Sequence, residues 1–522
     1  MSEMTPTTLS NSDKKWQKYD CYNLEVDPNQ DDRAKRIKIL SFSRPHMRAF
    51  HCSWWGYFMA FNMWFAISPL QSEIQKSLQI TNEQLWTASI AGVGGTIFMR
   101  FLLGPLCDKY GPRTLMACLL CFASIPTALT GMVNSATDLT ILRLFIGTVG
   151  GTFVMCQYWT SRMFTREVVG TANAMAGGWG NLGGGFTQLL VGSILFPLFE
   201  WFFSNSENPA DMAWRTVCIV PAIVAFISGI AIFKFTEDAP KGDYHQLKAQ
   251  GVMVEVSAIT SFGSGFTNIN TWLIFIQYAC CFGVELTMNN AAALYFRDEF
   301  GLETETAAAI ASIFGWMNLF ARGLGGFLSD AANTRIGMRG RLLVQSTFLL
   351  LEGLLILLFA NTKSLSGAIA VMVFFSLFVQ AAEGSSYGIV PYIDPRFTGS
   401  ISGIVGAGGN VGAVCFSLAF RQLDYYSAFV TMAACIIAAS FLSVLVFIKG
   451  QSSVFYGKEE RKGKSQAYAD NSDTSHSFSS KEEEEDNSYS NSLSRKYLGS
   501  PSSKTADESF NSNDESLSSI EA

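Results

Sequence analysis

Twelve apolar runs, each long enough to cross a hydrocarbon layer of about 30 Å as a helix, set what this chain can fold into. They lie near residues 50–70, 86–106, 114–133, 138–160, 171–197 and 214–235. After a polar stretch, six more lie near 267–294, 305–329, 342–361, 365–389, 399–421 and 426–448. Backbone polar groups in lipid must be satisfied within the chain, so runs of this length fold as helices. The spacing predicts an all-α membrane protein with twelve transmembrane helices in two six-helix bundles. Only 15% of the 522 residues are charged, against about 25% in an ordinary soluble domain.

The expected parts are an N-terminal arm at 1–49, one bundle at 50–236, a central loop at 237–266, a second bundle at 267–449 and a tail at 450–522. The tail, with "SKEEEEDNSYSNSLSR", is rich in serine and acid and poor in apolar residues, a composition predicted to stay disordered. The first ~45 residues hold no short apolar core before a cleavage site, so the first span itself is expected to direct insertion. Basic residues alternate along the connections. Arg33, Lys35, Arg36, Lys38, Arg44 and Arg48 precede the first span, and Lys109, Arg113, Arg162, Arg166, Arg335, Arg339 and Arg341 mark later turns. The intervening turns "NSATD" and "RDEFGLETET" are poor in bases, which places both termini and the central loop in the cytoplasm.

An arginine inside the second run is costly, by roughly 2.5–3.5 kcal/mol on insertion scales, and it recurs. Arg100, Gly104 and Asp108 are echoed at the same spacing by Arg322, Gly326 and Asp330, and then Gly111 and Arg113 by Gly337 and Arg339. A second repeat aligns Gly177, Gly180 and Asn181 with Gly406, Gly409 and Asn410. Two matches at nearly one offset indicate two homologous six-helix halves. Each arginine stands eight residues before an aspartate at the membrane edge, hence roughly 12 Å deeper, close to the midplane. Two readings stay open: each arginine pairs with a local acid such as Glu285, Glu352 or Glu383, or the two clamp an anionic substrate. None of the acids follows the repeat, and guanidinium forks suit flat oxyanions. Two arginines facing one anion would leave a loaded site at +1 and an empty one at +2, which would resist closure.

The glycines of the fifth and eleventh spans are expected to let helices approach closely. Asn181 and Asn410 each need a partner at that depth, and a substrate oxygen would serve. Asp108, Arg113, Asp330 and Arg339 are expected to form charged latches at the cytoplasmic edge. No nucleophile–base grouping, metal-ligand spacing or phosphate-cradling loop lies outside the apolar runs, so neither an enzyme, a metal or cofactor, nor a nucleic-acid partner is expected.

"GPLCDKYGPR" (104–113) resembles the G-x-x-x-D-x-x-G-x-R loop signature of the major facilitator superfamily. "FVMCQYWTSRMF", "AGGWGNLGGGFTQLL" and "GIVGAGGNVGAV" resemble the nitrate/nitrite porter family within it, in its plant and algal form. The resemblance implies the major facilitator fold and a nitrate site between the halves. By position, Arg100 and Arg322 would grip the anion and Asn181 would donate to it, while Phe153 and Tyr278 match aromatic positions that contact the substrate. Inward movement of an anion against a negative interior costs roughly 2.3 kcal/mol per 100 mV, so accumulation requires a coupled cation or an exchanged anion, and the resemblance implies symport with a proton. Glu285 and Glu383 are the acids placed to carry it. The family further implies the plasma membrane as location and, for some members, a single-span accessory partner. Rival readings are a nitrite carrier or nitrate/nitrite exchanger of the same fold, and a nitrate-sensing receptor that signals through the tail.

Overall fold

The first helix begins where the arm ends, at His46, because Pro45 fixes the turn into it. The computed structural model describes residues 24–249, 257–302 and 304–457; most of the tail lies outside them, as do residues 1–23 of the arm. The spans are α1 His46–Phe65, α2 Glu83–Tyr110, α3 Pro112–Met132, α4 Ala136–Met163, α5 Val169–Phe202 and α6 Pro209–Phe235. The second half repeats them as α7 Ile269–Phe300, the two-piece α8, α9 Met338–Ala360, α10 Leu365–Ile393, α11 Thr398–Gln422 and α12 Tyr425–Leu445. Among the described residues, ten helices are long and apolar enough to cross a membrane. The other two spans have local causes. In α1, Arg48, His51 and Asn62 dilute the apolar residues. In α8, a 3-10 turn at Met317–Leu319 divides Thr304–Trp316 from Ala321–Ile336.

Gly111 (φ 86°) joins α2 to α3 and Gly337 (φ 68°) joins α8 to α9. Both lie in the positive region that only glycine enters without strain, so the repeated glycine encodes a repeated turn. Gly104 and Gly326 serve the contact between halves instead. A methyl group at Gly104 would stand 2.9 Å from the Gly399 carbonyl of α11, and one at Gly326 would stand 2.6 Å from the Gly170 carbonyl of α5. The halves therefore meet backbone to backbone along two seams, α2 on α11 and α5 on α8, by close small-residue packing.

The basic connections gather at one end, the basic face. There the repeated aspartates cap helices of the opposite half. Asp108 accepts hydrogen bonds from the Gly399 and Ser400 amides at the start of α11, at 3.3 and 3.2 Å. Asp330 accepts from the Thr171 amide and hydroxyl at the start of α5, both at 2.6 Å. A carboxylate at a helix N-terminus complements the exposed amides there. The expected latch of two aspartates with Arg113 and Arg339 needs correction. Arg113 lies 3.1 Å from Asp243 and donates to the Thr236 carbonyl at 2.9 Å, within its own half. Arg339 donates to the Ser453 carbonyl at 3.1 Å. The arginine that reaches Asp330 is Arg341, at 2.7 Å. Each half thus ties the segment after its last span back to its second turn.

The arm and central loop cover this face. Strands β1 Val26–Asp27 and β2 Arg33–Ala34 form a small antiparallel hairpin that pairs Val26 with Ala34, and the Thr165 amide donates to the Ala34 carbonyl at 3.0 Å. In the central loop, the helix Ala258–Thr267 presents Ser261, whose hydroxyl donates to Asp108 at 2.7 Å. Asp238 holds the start of α3 by accepting from the Arg113 amide at 3.0 Å. Burial pushes its carboxyl up to about 6 even though Arg113 pulls the other way. The native state therefore holds this proton more tightly than the unfolded chain does, and the associated stability is present at low pH and lost as pH rises through about 6. The thermal midpoint of detergent-solubilised protein is expected to fall between pH 5 and pH 7, with a smaller fall for Asp238→Asn.

Candidate functional site

Arg100 and Arg322 enter the middle of the molecule from equivalent helices, α2 and α8, and both are fully buried. Their surroundings differ. Arg100 donates from Nε to the Gly150 carbonyl at 3.0 Å and from Nη1 to the Gly406 carbonyl at 2.5 Å. The first carbonyl belongs to the 3-10 turn Thr148–Gly151 inside α4. Among the described residues Nη2 of Arg100 has no hydrogen-bond partner. Arg322 forms an ion pair with Glu383 of α10 and donates from Nη2 to the Tyr278 hydroxyl at 3.1 Å, while its Nε is unpartnered among the described residues.

One ring lies against both cations. The Phe153 centroid is 4.6 Å from the Arg100 Cζ and 5.4 Å from that of Arg322. Around it Tyr278 and Phe282 stack at 5.9 Å, with Tyr387 edge-on at 4.9 Å and Tyr57 at 5.4 Å. Aromatic faces carry negative potential and stabilise cations set over them. They also present flat walls to a planar anion.

The asparagines find partners within the protein. Asn181 donates to Glu285 at 2.9 Å and to Glu383 at 3.3 Å, because those two carboxylates are the nearest strong acceptors. Asn410 donates to the Gly406 carbonyl at 3.2 Å, one turn back on its own helix. Glu285 takes a second bond from Asn318, at 2.8 Å. Two acids, Glu285 and Glu383, thus stand beside two arginines in one buried cluster, so the expected +2 of the arginines alone is corrected: two carboxyl groups share the site with them. Asp108 and Asp330 bridge the halves on the basic face, and Arg421 of α11 pairs with Glu83 of α2 on the opposite face. Sequence reasoning missed Asn318, Tyr57, Phe282 and Tyr387. Asn318 precedes Arg322 by one turn, but Thr96 holds the equivalent place, so the repeat does not mark it.

The repeated glycines shape this centre. A methyl at Gly180 would run into the Tyr57 ring and one at Gly409 into the Phe282 ring, each on the first span of its own half. A methyl at Gly177 would stand 2.8 Å from the Arg322 Nε, and one at Gly406 would stand 3.3 Å from Phe153. Gly180→Ala is expected to destabilise by about 1–3 kcal/mol through overpacking, read as a lowered thermal midpoint of the detergent-solubilised protein.

Two pseudo-symmetric halves of membrane-spanning helices thus surround a buried polar centre. The Major Facilitator Superfamily profile matches residues 53–417. High affinity nitrate transporter 2.5 of Arabidopsis thaliana is 38% identical over 448 residues, covering 84% of this chain and 87% of that protein. This chain belongs to the nitrate/nitrite porter family of the major facilitator superfamily. Nitrate transporter 2.2 of Chlamydomonas reinhardtii is 35% identical, covering 74% of this chain and 75% of that one. Among solved structures, the superfamily's proton:xylose symporter XylE has a TM-score of 0.56 at 13% identity, covering 77% of this chain and 95% of that one, a likeness of fold alone. Members of this superfamily carry solutes rather than transform them. Among the described residues of this porter no three His, Cys, Asp or Glu side chains converge as metal ligands.

Proposed function

We propose that this porter imports nitrate with a proton, by alternating access, across the plasma membrane with both termini in the cytoplasm. The observation that carries the reading is the pair of buried arginines on one aromatic ring, each with a donor nitrogen left unpartnered among the described residues. Nitrate is flat, monovalent and weakly hydrated. It fits between guanidinium donors in plane and aromatic faces above and below, and it loses little hydration on entry.

The same cluster supports proton coupling. Two arginines and two ionised glutamates sum to zero; an added nitrate leaves one negative charge in a water-excluded site, and a proton on Glu383 or Glu285 restores neutrality. Protonating Glu383 also weakens its hold on Arg322, which releases Nη1 for the anion. Neither empty nor fully loaded forms then bury net charge, whereas the half-loaded forms do and resist closure. The alternation itself breaks the Asp108 and Asp330 caps on one face or the Glu83–Arg421 pair on the other.

Labelled nitrate uptake into proteoliposomes tests the substrate. Competition should rank nitrate first, nitrite next, and non-planar chlorate well behind. Equal competition by all three would remove the shape argument, and negligible turnover of the intact chain would favour a receptor instead.

A further inference from the structure

Between α9 and α10 runs a row of buried polar side chains that anion binding does not use. On α9, Arg341, Gln345 and Glu352 share one face at i, i+4 and i+11, and all three are fully buried. Gln345 donates to Ser386 at 2.9 Å and accepts from Ser385 at 2.5 Å. These serines follow Glu383 by less than one turn of α10. Toward the basic face, Arg341 bonds Ser329 at 3.2 Å and Asp330 at 2.7 Å.

Away from that face stands Glu352. Neither of its oxygens has a hydrogen-bond partner among the described residues. A buried carboxylate with no partner costs several kcal/mol when ionised, so its position asks for a proton as its natural ligand. The titratable groups near it are Cys280 and Cys281 of α7 and Glu383 of α10, with Cys435 of α12 beyond Cys280. Arg322 of α8 is engaged with Glu383.

Resting on the symport reading above, the geometry points to a proton route inside the second half, separate from the anion's path between the halves. Glu352 and Glu383 hold the proton, and Ser385, Ser386 and Gln345 lead it toward Asp330 at the basic face. The anion leaves when the halves part, while the proton leaves along hydroxyl and amide groups.

Proteoliposomes carrying wild type, Glu352→Gln or Gln345→Leu separate the two routes. Net nitrate uptake driven by a pH gradient needs proton release; nitrate–nitrate counterflow does not. Both variants are expected to keep counterflow near wild type and to lose at least about tenfold in net uptake and dye-reported proton entry. Parallel loss of counterflow and net uptake in Glu352→Gln, or no loss of either, would overturn the route. Glu352→Gln is nearly isosteric and decides the matter even where Gln345→Leu fails to fold. Wild-type nitrate flux without proton entry would instead remove symport itself, leaving an exchanger.

Discussion

Replacing Arg100 by lysine is expected to weaken nitrate uptake by about 10- to 100-fold, the equivalent of one lost charge-assisted hydrogen bond of about 1.5–3 kcal/mol. Charge is preserved, so the loss isolates geometry. Arg100 spends Nε and Nη1 on the Gly150 and Gly406 carbonyls, one from each half, and still presents Nη2. A lysine has one nitrogen for all three tasks. Arg322→Lys is expected to act similarly, since its fork reaches Glu383 and Tyr278 together. Saturation curves for labelled nitrate in oocytes check both. Near-normal affinity in either lysine variant would mean that positive charge alone suffices, and that the fork has no role.

Glu383→Gln is expected to separate nitrate movement from the proton. The glutamine keeps the shape and leaves the cluster with a permanent positive charge, so nitrate neutralises the site without a proton. Binding should persist or tighten, and pH dependence of uptake should flatten. Uphill accumulation should vanish: an uncoupled anion facing a negative interior of 100 mV is excluded by roughly 2.3 kcal/mol, about 50-fold. Parallel current and isotope measurements at several external pH values read this directly. Glu285→Gln makes a useful contrast, because Glu285 is held by the amides of Asn181 and Asn318 rather than by a cation. Retained accumulation with an unchanged proton requirement in that variant would leave the proton to Glu383.

The arginines were legible because a charge in an apolar run has few explanations, and because the chain states the motif twice. The glycines at 104, 326, 180 and 409 were legible for the same reason, although their separate tasks, seam contacts for the first pair and ring seats for the second, needed the packing. The asymmetry between halves was not legible. Glu383 pairs with Arg322 across 61 residues, as the reading of an arginine with a local acid allowed, but the sequence does not say that Arg322 takes such a partner while Arg100 takes backbone carbonyls. Backbone acceptors leave little mark in a sequence either. The Gly150 carbonyl that meets Arg100 lies in a 3-10 turn of α4, and Asn318, which meets Glu285, lies in the 3-10 turn that divides α8. Asn181 was identified as a polar group needing a partner, and its partners proved to be acids of the other half.

The proposed symport requires an anion gripped by two arginines while an adjoining carboxylate takes up a proton. Purified protein in weakly buffered detergent, titrated with nitrate while a pH dye is followed, tests that coupling most directly. Wild type should take up about one proton per nitrate bound near neutral pH, and Arg100→Lys should require far more nitrate for the same signal. Nitrate binding with no proton uptake, or an identical titration for the lysine variant, would contradict it.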